Sequence, residues 1–517
     1  MTVGGAFLLF AVRMPITLWK EALVNALRCS WLTSLLALVF VAVVTDVTIA
    51  AEAKKPNILF IAIDDLRPQL GCYGQTQMKT PNLDRLAASG TLFTRTYCQV
   101  SVCGASRASL LTGMRPTAKR FRNYRSRADR DVPGIVTLPQ HFKNNGYHTR
   151  ALGEIFHFSD DSAGGWSEPH WRPPDAWPGY HLQATKDQAK REHRRNRHVF
   201  GPPWEFADCE DNGYPDGRTA EQAVKDLSRL KQLDKPFFMA VGFVKPHLPF
   251  TAPKKYWDMY DHAKIPLAAN PYPPKGAPRQ SLHKSAELRG NFSGMPHKGK
   301  MPDKISRNLV HAYYACTSFA DAQVGKLLDE LDKLKIADET IVIVWGDHGW
   351  QLGEHGLWAK HCVYHTSMHS PMILRVPGQK GGVRCHALTE FVDIYPTLCD
   401  LAGHKQPEHL EGLSFKPLLA DPKRPWKKAI YGNYGGGWAV RDDRYTYSEF
   451  RSRGRTVARM LYDHDKDPNE NVNIVSDPAS AGVVKKLSAL LIDGWTAALP
   501  EGVETVRSKK LKISAGG

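Results

Sequence analysis

Asn57-Ile58-Leu59-Phe60-Ile61-Ala62-Ile63-Asp64-Asp65 joins an unbroken apolar run to two adjacent acids. A run without alternation fits a strand buried on both faces, as in a parallel sheet. Neighbouring carboxylates just past such a strand repel each other unless a cation lies between them. Ligands of open α/β sheets bind at the carboxyl ends of the strands, which is where this pair falls. Standing alone, the pair also reads as two solvated loop acids. It does not stand alone. Ile341-Val342-Ile343-Val344-Trp345 runs into Gly346-Asp347-His348-Gly349, and Phe237-Phe238-Met239-Ala240-Val241 leads through Gly242 to Lys245-Pro246-His247. A weaker strand, Thr149-Arg150-Ala151-Leu152, leads to Gly153-Glu154-Ile155-Phe156-His157. Helical stretches alternate with these strands, the longest over residues 306–334, and Thr80-Pro81 opens another that Gly90 closes. The pattern predicts an α/β fold, a mostly parallel sheet flanked by helices, with polar residues converging on one sheet edge.

Asp64, Asp65, Asp347 and His348 form a candidate metal site on that edge. Three carboxylates and few soft ligands favour a hard divalent cation, Ca²⁺ or Mg²⁺, over zinc. His348 could instead hydrogen-bond a substrate. A two-zinc phosphatase site would need more nitrogen ligands, for which His355, His361, His365 and His369 are the nearby stock; loop histidines more commonly serve as ordinary surface or hydrogen-bonding residues. A second stretch, Ser101-Val102-Cys103-Gly104-Ala105-Ser106-Arg107-Ala108-Ser109-Leu110-Leu111-Thr112-Gly113, carries one Cys and one Arg in small-residue surroundings. If residues 105–111 are helical, Cys103 lies at a helix N-terminus, where free N–H groups and the macrodipole favour an anion. Arg107, one turn on, adds a planar, always-charged fork suited to a tetrahedral oxyanion. A buried Cys acting as a small hydrophobe is the plain alternative.

The chain has 517 residues, a formal charge of +17 and a pI near 9.3. That length gives room for two domains and a large core, and that charge suggests an anionic partner. No helix-turn-helix, zinc-finger or RNP-like pattern occurs, so nucleic acid is not the expected partner. Residues 31–44 are a short apolar run preceded by Arg13, Lys20 and Arg28 and followed by small residues around Ala50-Ala51-Glu52-Ala53. Residues 1–53 therefore read as a secretory signal peptide with a long n-region, Met14 being an alternative start, and an uncleaved anchor being the alternative reading. The expected product is secreted or periplasmic, without stable membrane insertion after cleavage. The nine Cys form no CxxC pairs or zinc spacing, and they name no disulfide. Residues 168–180, 186–198 (a dense basic run) and 266–304 read as irregular segments, either solvated surface or the rim of a cleft for an acidic sugar chain. Residues 54–403 are expected to form the catalytic α/β domain and 404–517 a smaller α+β subdomain with an antiparallel sheet and a closing helix.

Cys103, two intervening positions, Ser106-Arg107 and then Leu111-Thr112-Gly113 resemble the signature of the type I sulfatases, with Ala105 where that family usually has Pro. Asp64-Asp65-Leu66-Arg67-Pro68, Leu70-Gly71-Cys72-Tyr73-Gly74, Lys245-Pro246-His247-Leu248-Pro249-Phe250 and residues 347–356 with Trp358-Ala359-Lys360 resemble the iduronate-2-sulfatases. Leu461-Tyr462-Asp463, Asp467-Pro468 and Glu470 are similar to the C-terminal sulfatase motif. The resemblance implies an alkaline-phosphatase-like fold and hydrolysis of sulfate esters, on uronic-acid-containing or other acidic sulfated polysaccharides. It further implies that a formylglycine-generating enzyme oxidises Cys103 to formylglycine, whose hydrate is the nucleophile. Asp64, Asp65, Asp347, His348 and the modified Cys103 would bind Ca²⁺, and Arg107 would hold the hydrate. His157, His247 and Lys360 would surround the sulfate, His157 taking a proton and His247 or Lys360 protonating the leaving oxygen. Glu154 departs from the Lys expected before Ile155-Phe156-His157, and a carboxylate facing sulfate is repulsive. A phosphate mono- or diester hydrolase on the same fold, or an inactive sulfated-glycan-binding relative, are the alternatives.

Overall fold

The computed structural model describes residues 54–509; the leader expected over residues 1–53, with Met14, lies outside the described residues. Eleven strands and eight helices carry the account: β1 Asn57–Ile63, α1 Pro81–Ser89, β2 Thr91–Phe93, α2 Cys103–Thr112, α3 Leu138–Asn144, β3 His148–Gly153, α4 Gln183–Arg195, α5 Pro215–Leu230, β4 Phe237–Phe243, α6 Asp303–Lys333, β5 Thr340–Gly346, β6 Met372–Arg375, β7 Val383–Cys385, α7 Ile394–Leu401, β8 Ile430–Tyr434, β9 Gly437–Arg441, β10 Tyr445–Ser452, β11 Arg455–Asp463 and α8 Ala481–Asp493. The central sheet has the order β7-β2-β6-β5-β1-β4-β3. β1 pairs in parallel with β4 and β5, and β3 with β4. β6 runs antiparallel to both of its neighbours, so the sheet is mostly parallel.

The apolar run of β1 is buried on both faces, as its lack of alternation requires. Leu59, Ile61 and Ile63 pack with Leu83 and Leu86 of α1, Ala223 and Leu227 of α5, and Leu327 and Leu331 of α6. Phe60 and Ala62 face the other way, onto Leu110 and Leu111 of α2, Phe142 of α3, and Ile394 and Leu398 of α7. Each of these fully buried Leu, Ile and Phe side chains contributes about 1.5–3 kcal/mol by leaving water. The result is a helix–sheet–helix sandwich in the alkaline-phosphatase-like arrangement. β8 to β11 form an antiparallel sheet of four strands. One face adds Ile430, Ala439, Phe450 and Tyr462 to the cluster around Phe60, and the other packs Val440, Tyr447 and Leu461 under Leu487 of α8.

One expectation changes. The basic run at residues 186–198, read as an irregular segment, is largely helical: α4 covers most of it, with Ala189 its buried residue and Arg194 and Arg195 in its last turn. Charged straight-chain residues are good helix formers, so a solvated charge run and an exposed helix share one composition. Residues 266–302 are irregular apart from short turns, one of them the helical turn Ala286–Arg289, and residues 303 and 304 already belong to α6. The described cysteines are all free. Among the described residues no helix is long and apolar enough to cross a membrane.

Candidate active site

β1 ends at Asp64 and Asp65, β5 at Asp347 and His348, β3 at Glu154 and His157, and β4 leads to His247, so four neighbouring strands deliver their polar residues to one edge. Asp65 has φ +60°, the left-handed region that a non-Gly residue occupies at a cost of about 1–3 kcal/mol. Three bonds hold it there. Its N–H donates to Asp347 Oδ1 (3.0 Å), its carbonyl accepts from the Tyr313 hydroxyl (2.7 Å), and its carboxylate accepts from Lys360 Nζ (2.9 Å).

Cys103 is the first residue of α2, after an extended Val102, and is buried. Gly104 beside it permits a close approach, since a Cβ there would collide with the Tyr124 carbonyl. Arg107, fully buried, spends Nε on Asp347 Oδ2 (3.0 Å) and Nη1 on the carbonyls of Glu154 and Ile155. Its remaining nitrogen, Nη2, has no hydrogen-bond partner. It faces Asp64 Oδ1 at 3.7 Å, which is likewise buried and without a hydrogen bond. Burial raises the Asp64 pKa, but the charges of Arg107, His247 and Lys360 outweigh it and hold the carboxyl well below its usual range.

One ligand atom each from Asp64, Asp65, Cys103 and His348 lies within 4.8 Å of the others. His348 Nε2 stands 3.4 Å from Cys103 Sγ and 3.5 Å from carboxylate oxygens of both Asp65 and Asp347. An orphaned buried carboxylate oxygen amid acids and a neutral imidazole fits a divalent cation. Asp347 borders this group, its carboxylate engaged by Arg107 and by the Asp65 N–H. A second group, Asp65, His247 and Glu287, has metal-ligand spacing too. There Lys360 Nζ sits 2.9 Å from Asp65 and 2.7 Å from Glu287, so an ammonium already supplies the positive charge.

Of the expected catalytic residues, Lys360 and His247 meet at Glu287, whose Oε1 is 2.7 Å from Lys360 Nζ and 3.1 Å from His247 Nε2. Burial works against the charged form of His247, yet Asp65, Asp64 and Glu287 lift its pKa to about 9. His157 lies beside Glu154, with Nδ1 3.3 Å from Oε1. The Glu154 carboxylate is turned to Arg172, whose Nη1 is 3.0 Å from Oε2. Lys245 is absorbed by the carbonyls of His247 and Pro249. Sequence reading missed Glu287 and Arg172. Both lie in segments without periodicity, and the unpaired charge of Glu154 was the one signal that a cation such as Arg172 had to be near.

A buried acidic cluster at parallel strand ends, a helix N-terminus, and the cations of Arg107, Lys360 and His247 define a hydrolase of tetrahedral anionic esters. Residues 56–404 match the sulfatase family and residues 353–495 the C-terminal N-sulphoglucosamine sulphohydrolase family. The chain belongs to the sulfatase family, the sulfuric ester hydrolases. It is 34% identical to human (Homo sapiens) iduronate 2-sulfatase over 423 residues, 74% of this chain and 76% of that one. Among solved structures, a 2-O GAG sulfatase has a TM-score of 0.65 at 25% identity, covering 86% of this chain and 93% of its own. A phosphonate monoester hydrolase of Agrobacterium radiobacter shares the fold, with a TM-score of 0.69 at 23% identity over 86% of this chain and 96% of its own. The resemblance read from the Asp64-Asp65, Cys103 and Asp347-His348 segments is borne out.

Proposed function

We propose an exported sulfatase, secreted or periplasmic, that removes sulfate esters from uronic-acid-containing or other acidic sulfated saccharides. The observation that carries this reading is the pairing of Cys103, first in α2, with the unspent Arg107 Nη2 and the unpartnered Asp64 Oδ1. Asp64, Asp65, Cys103 and His348 would hold Ca²⁺, with Asp347 at their side, and a formylglycine-generating enzyme would act on Cys103. When present, the cation would polarise sulfate oxygens and the hydrated formylglycine would supply the attacking hydroxyl. Arg107 would orient that hydroxyl, and Lys360 and His247 would donate to the sulfate oxygens. His157 accepts a proton, and His247 or Lys360 returns one to the leaving oxygen. The net basic charge favours association with acidic chains.

Glu154 does not turn its charge on the substrate, because Arg172 and His157 take it up. This removes the main reason for reading the chain as an inactive glycan binder. Sulfate release from a panel of sulfated disaccharides, alongside matched phosphate esters, tests the proposal. Turnover of the sulfates that EGTA abolishes and Ca²⁺ restores is the expected result. Phosphate-only turnover, or binding to heparin-like polymers without turnover, would overturn it.

Glu287 places a carboxylate where Lys360 and His247 would grip sulfate, so it competes with the substrate anion. Glu287→Gln is expected to lower KM about fivefold, equivalent to ~1 kcal/mol. A raised KM would mean that Glu287 binds the sugar instead.

A further inference from the structure

We infer that Glu154, which occupies the position where the resemblance leads one to expect a sulfate-binding Lys, is a positioning residue that orients His157 as the proton acceptor of the site. The inference rests on the role proposed for His157 above. Glu154 is fixed at its backbone: its N–H donates to the Gly242 carbonyl at 2.9 Å, and its own carbonyl accepts from Arg107 Nη1. A Cβ at Gly242 would strike the Glu154 backbone, so these two strand ends can approach only with Gly there. The side chain is buried, with one oxygen on Arg172 and the other 3.3 Å from His157 Nδ1. Arg172 is spent within the same loop, since Nε donates to the Gly153 carbonyl (3.0 Å) and Nη2 to that of Phe156 (2.5 Å). It neutralises Glu154 without reaching for the substrate.

The charged groups facing Glu154 are Arg172, His157, Arg107, His170 and the more distant Asp64. Burial pushes its pKa up, but Arg172, His157 and Arg107 bring it down to about 2, so it is a carboxylate at neutral pH. His157 Nδ1 is buried and has no hydrogen-bond partner as it stands, and the Glu154 carboxylate lies 3.3 Å away without hydrogen-bond alignment. A small turn of the ring brings the two into line, which favours the proton on Nδ1 and leaves the Nε2 lone pair free to accept one. Lys has no acceptor and could not do this. The ring is further confined by Phe158 at 4.9 Å and Tyr124 at 6.2 Å between centroids. In this chain one sulfate-binding cation is exchanged for an oriented base.

The test measures sulfate release from a 2-O-sulfated uronic-acid disaccharide made from heparin, by wild type, Glu154→Ala, Glu154→Gln, His157→Ala and the double variant Glu154→Ala/His157→Ala. Glu154→Ala is expected to lose about 10- to 100-fold in kcat, the range for outer partners of a functional His, with KM unchanged because Arg172 stays tied to the Gly153 and Phe156 carbonyls. Glu154→Gln keeps an acceptor oxygen and the shape of the side chain, and recovers part of that loss. On the His157→Ala background, Glu154→Ala changes nothing further. ¹⁵N NMR of His157 is expected to show the Nδ1–H tautomer in wild type and a mixture in Glu154→Ala. Unchanged kcat in both Glu154 variants, or losses that multiply in the double variant, would overturn the inference while the sulfatase reading stands. A wild type that releases no sulfate from any disaccharide overturns both together. Should Glu154→Ala fail to fold, Glu154→Gln alone and with His157→Ala carries the same comparison.

Discussion

Asp64→Ala is expected to lower kcat/KM for sulfate release by about a thousandfold or more while the protein still folds. Asp64 ends β1 with one carboxylate oxygen buried and unpartnered, 3.7 Å from the unspent nitrogen of Arg107. A side chain left in that condition serves a ligand rather than the fold, since a buried unpaired oxygen costs about 1–3 kcal/mol. On the proposed metal assignment its removal takes one charged ligand from the cation, and it leaves the Arg107 charge facing the site without its counterpart. Electrostatic stabilisation of the transition state at such a position is worth about 4 kcal/mol, the source of the thousandfold figure. Steady-state kinetics with a thermal melt separates this from misfolding. Normal turnover would contradict the metal assignment.

Asp347→Ala is expected to damage the fold itself, by about 3–5 kcal/mol, as when one partner of a buried ion pair is removed. Arg107 is fully buried, and the Asp347 carboxylate accepts from its Nε while the other oxygen accepts from the Asp65 N–H. Truncation would leave the buried Arg107 Nε without its carboxylate, next to the Trp345 ring at 5.7 Å, with the Glu154 and Ile155 carbonyls and the more distant Asp64 as its remaining polar neighbours. It would also release Asp65 from one of the bonds that hold its left-handed conformation. The midpoint of urea unfolding measures this, and Asp347→Asn, which keeps an acceptor oxygen, falls between wild type and Asp347→Ala. A midpoint unchanged in Asp347→Ala would show that the pair does not hold the site together.

Asp64, Asp65, Asp347, His348 and Cys103 were legible because each is tied to a local pattern. The acids and His348 follow on short apolar runs of the kind that doubly buried strands form, and Cys103 opens a small-residue helix that Gly113 stops. Strand order places such ends side by side, so four separate patterns predict one site. Glu287 and Arg172 were not legible in this way. They reach Lys360 and Glu154 through tertiary contacts from irregular segments, and no periodicity marks them. The reversed strand β6 was equally hidden, being four residues long and preceded by Pro371. Helix α4 was missed because exposed helices and solvated charge runs look alike in composition. The antiparallel sheet was visible in outline from the Gly435-Gly436-Gly437 turn between β8 and β9, where Gly435 and Gly436 adopt positive φ.

The chemical state of Cys103 decides whether the nucleophile is a formylglycine, and the tryptic peptide spanning residues 96–107 carries it together with Cys98 as an internal unmodified control. Its mass, measured on protein purified from its own host, is predicted to be lower by about 18 Da than that of the free-thiol peptide, the change from thiol to aldehyde at Cys103. An unmodified thiol at Cys103 in protein that still turns over its substrate would contradict the formylglycine-dependent reading.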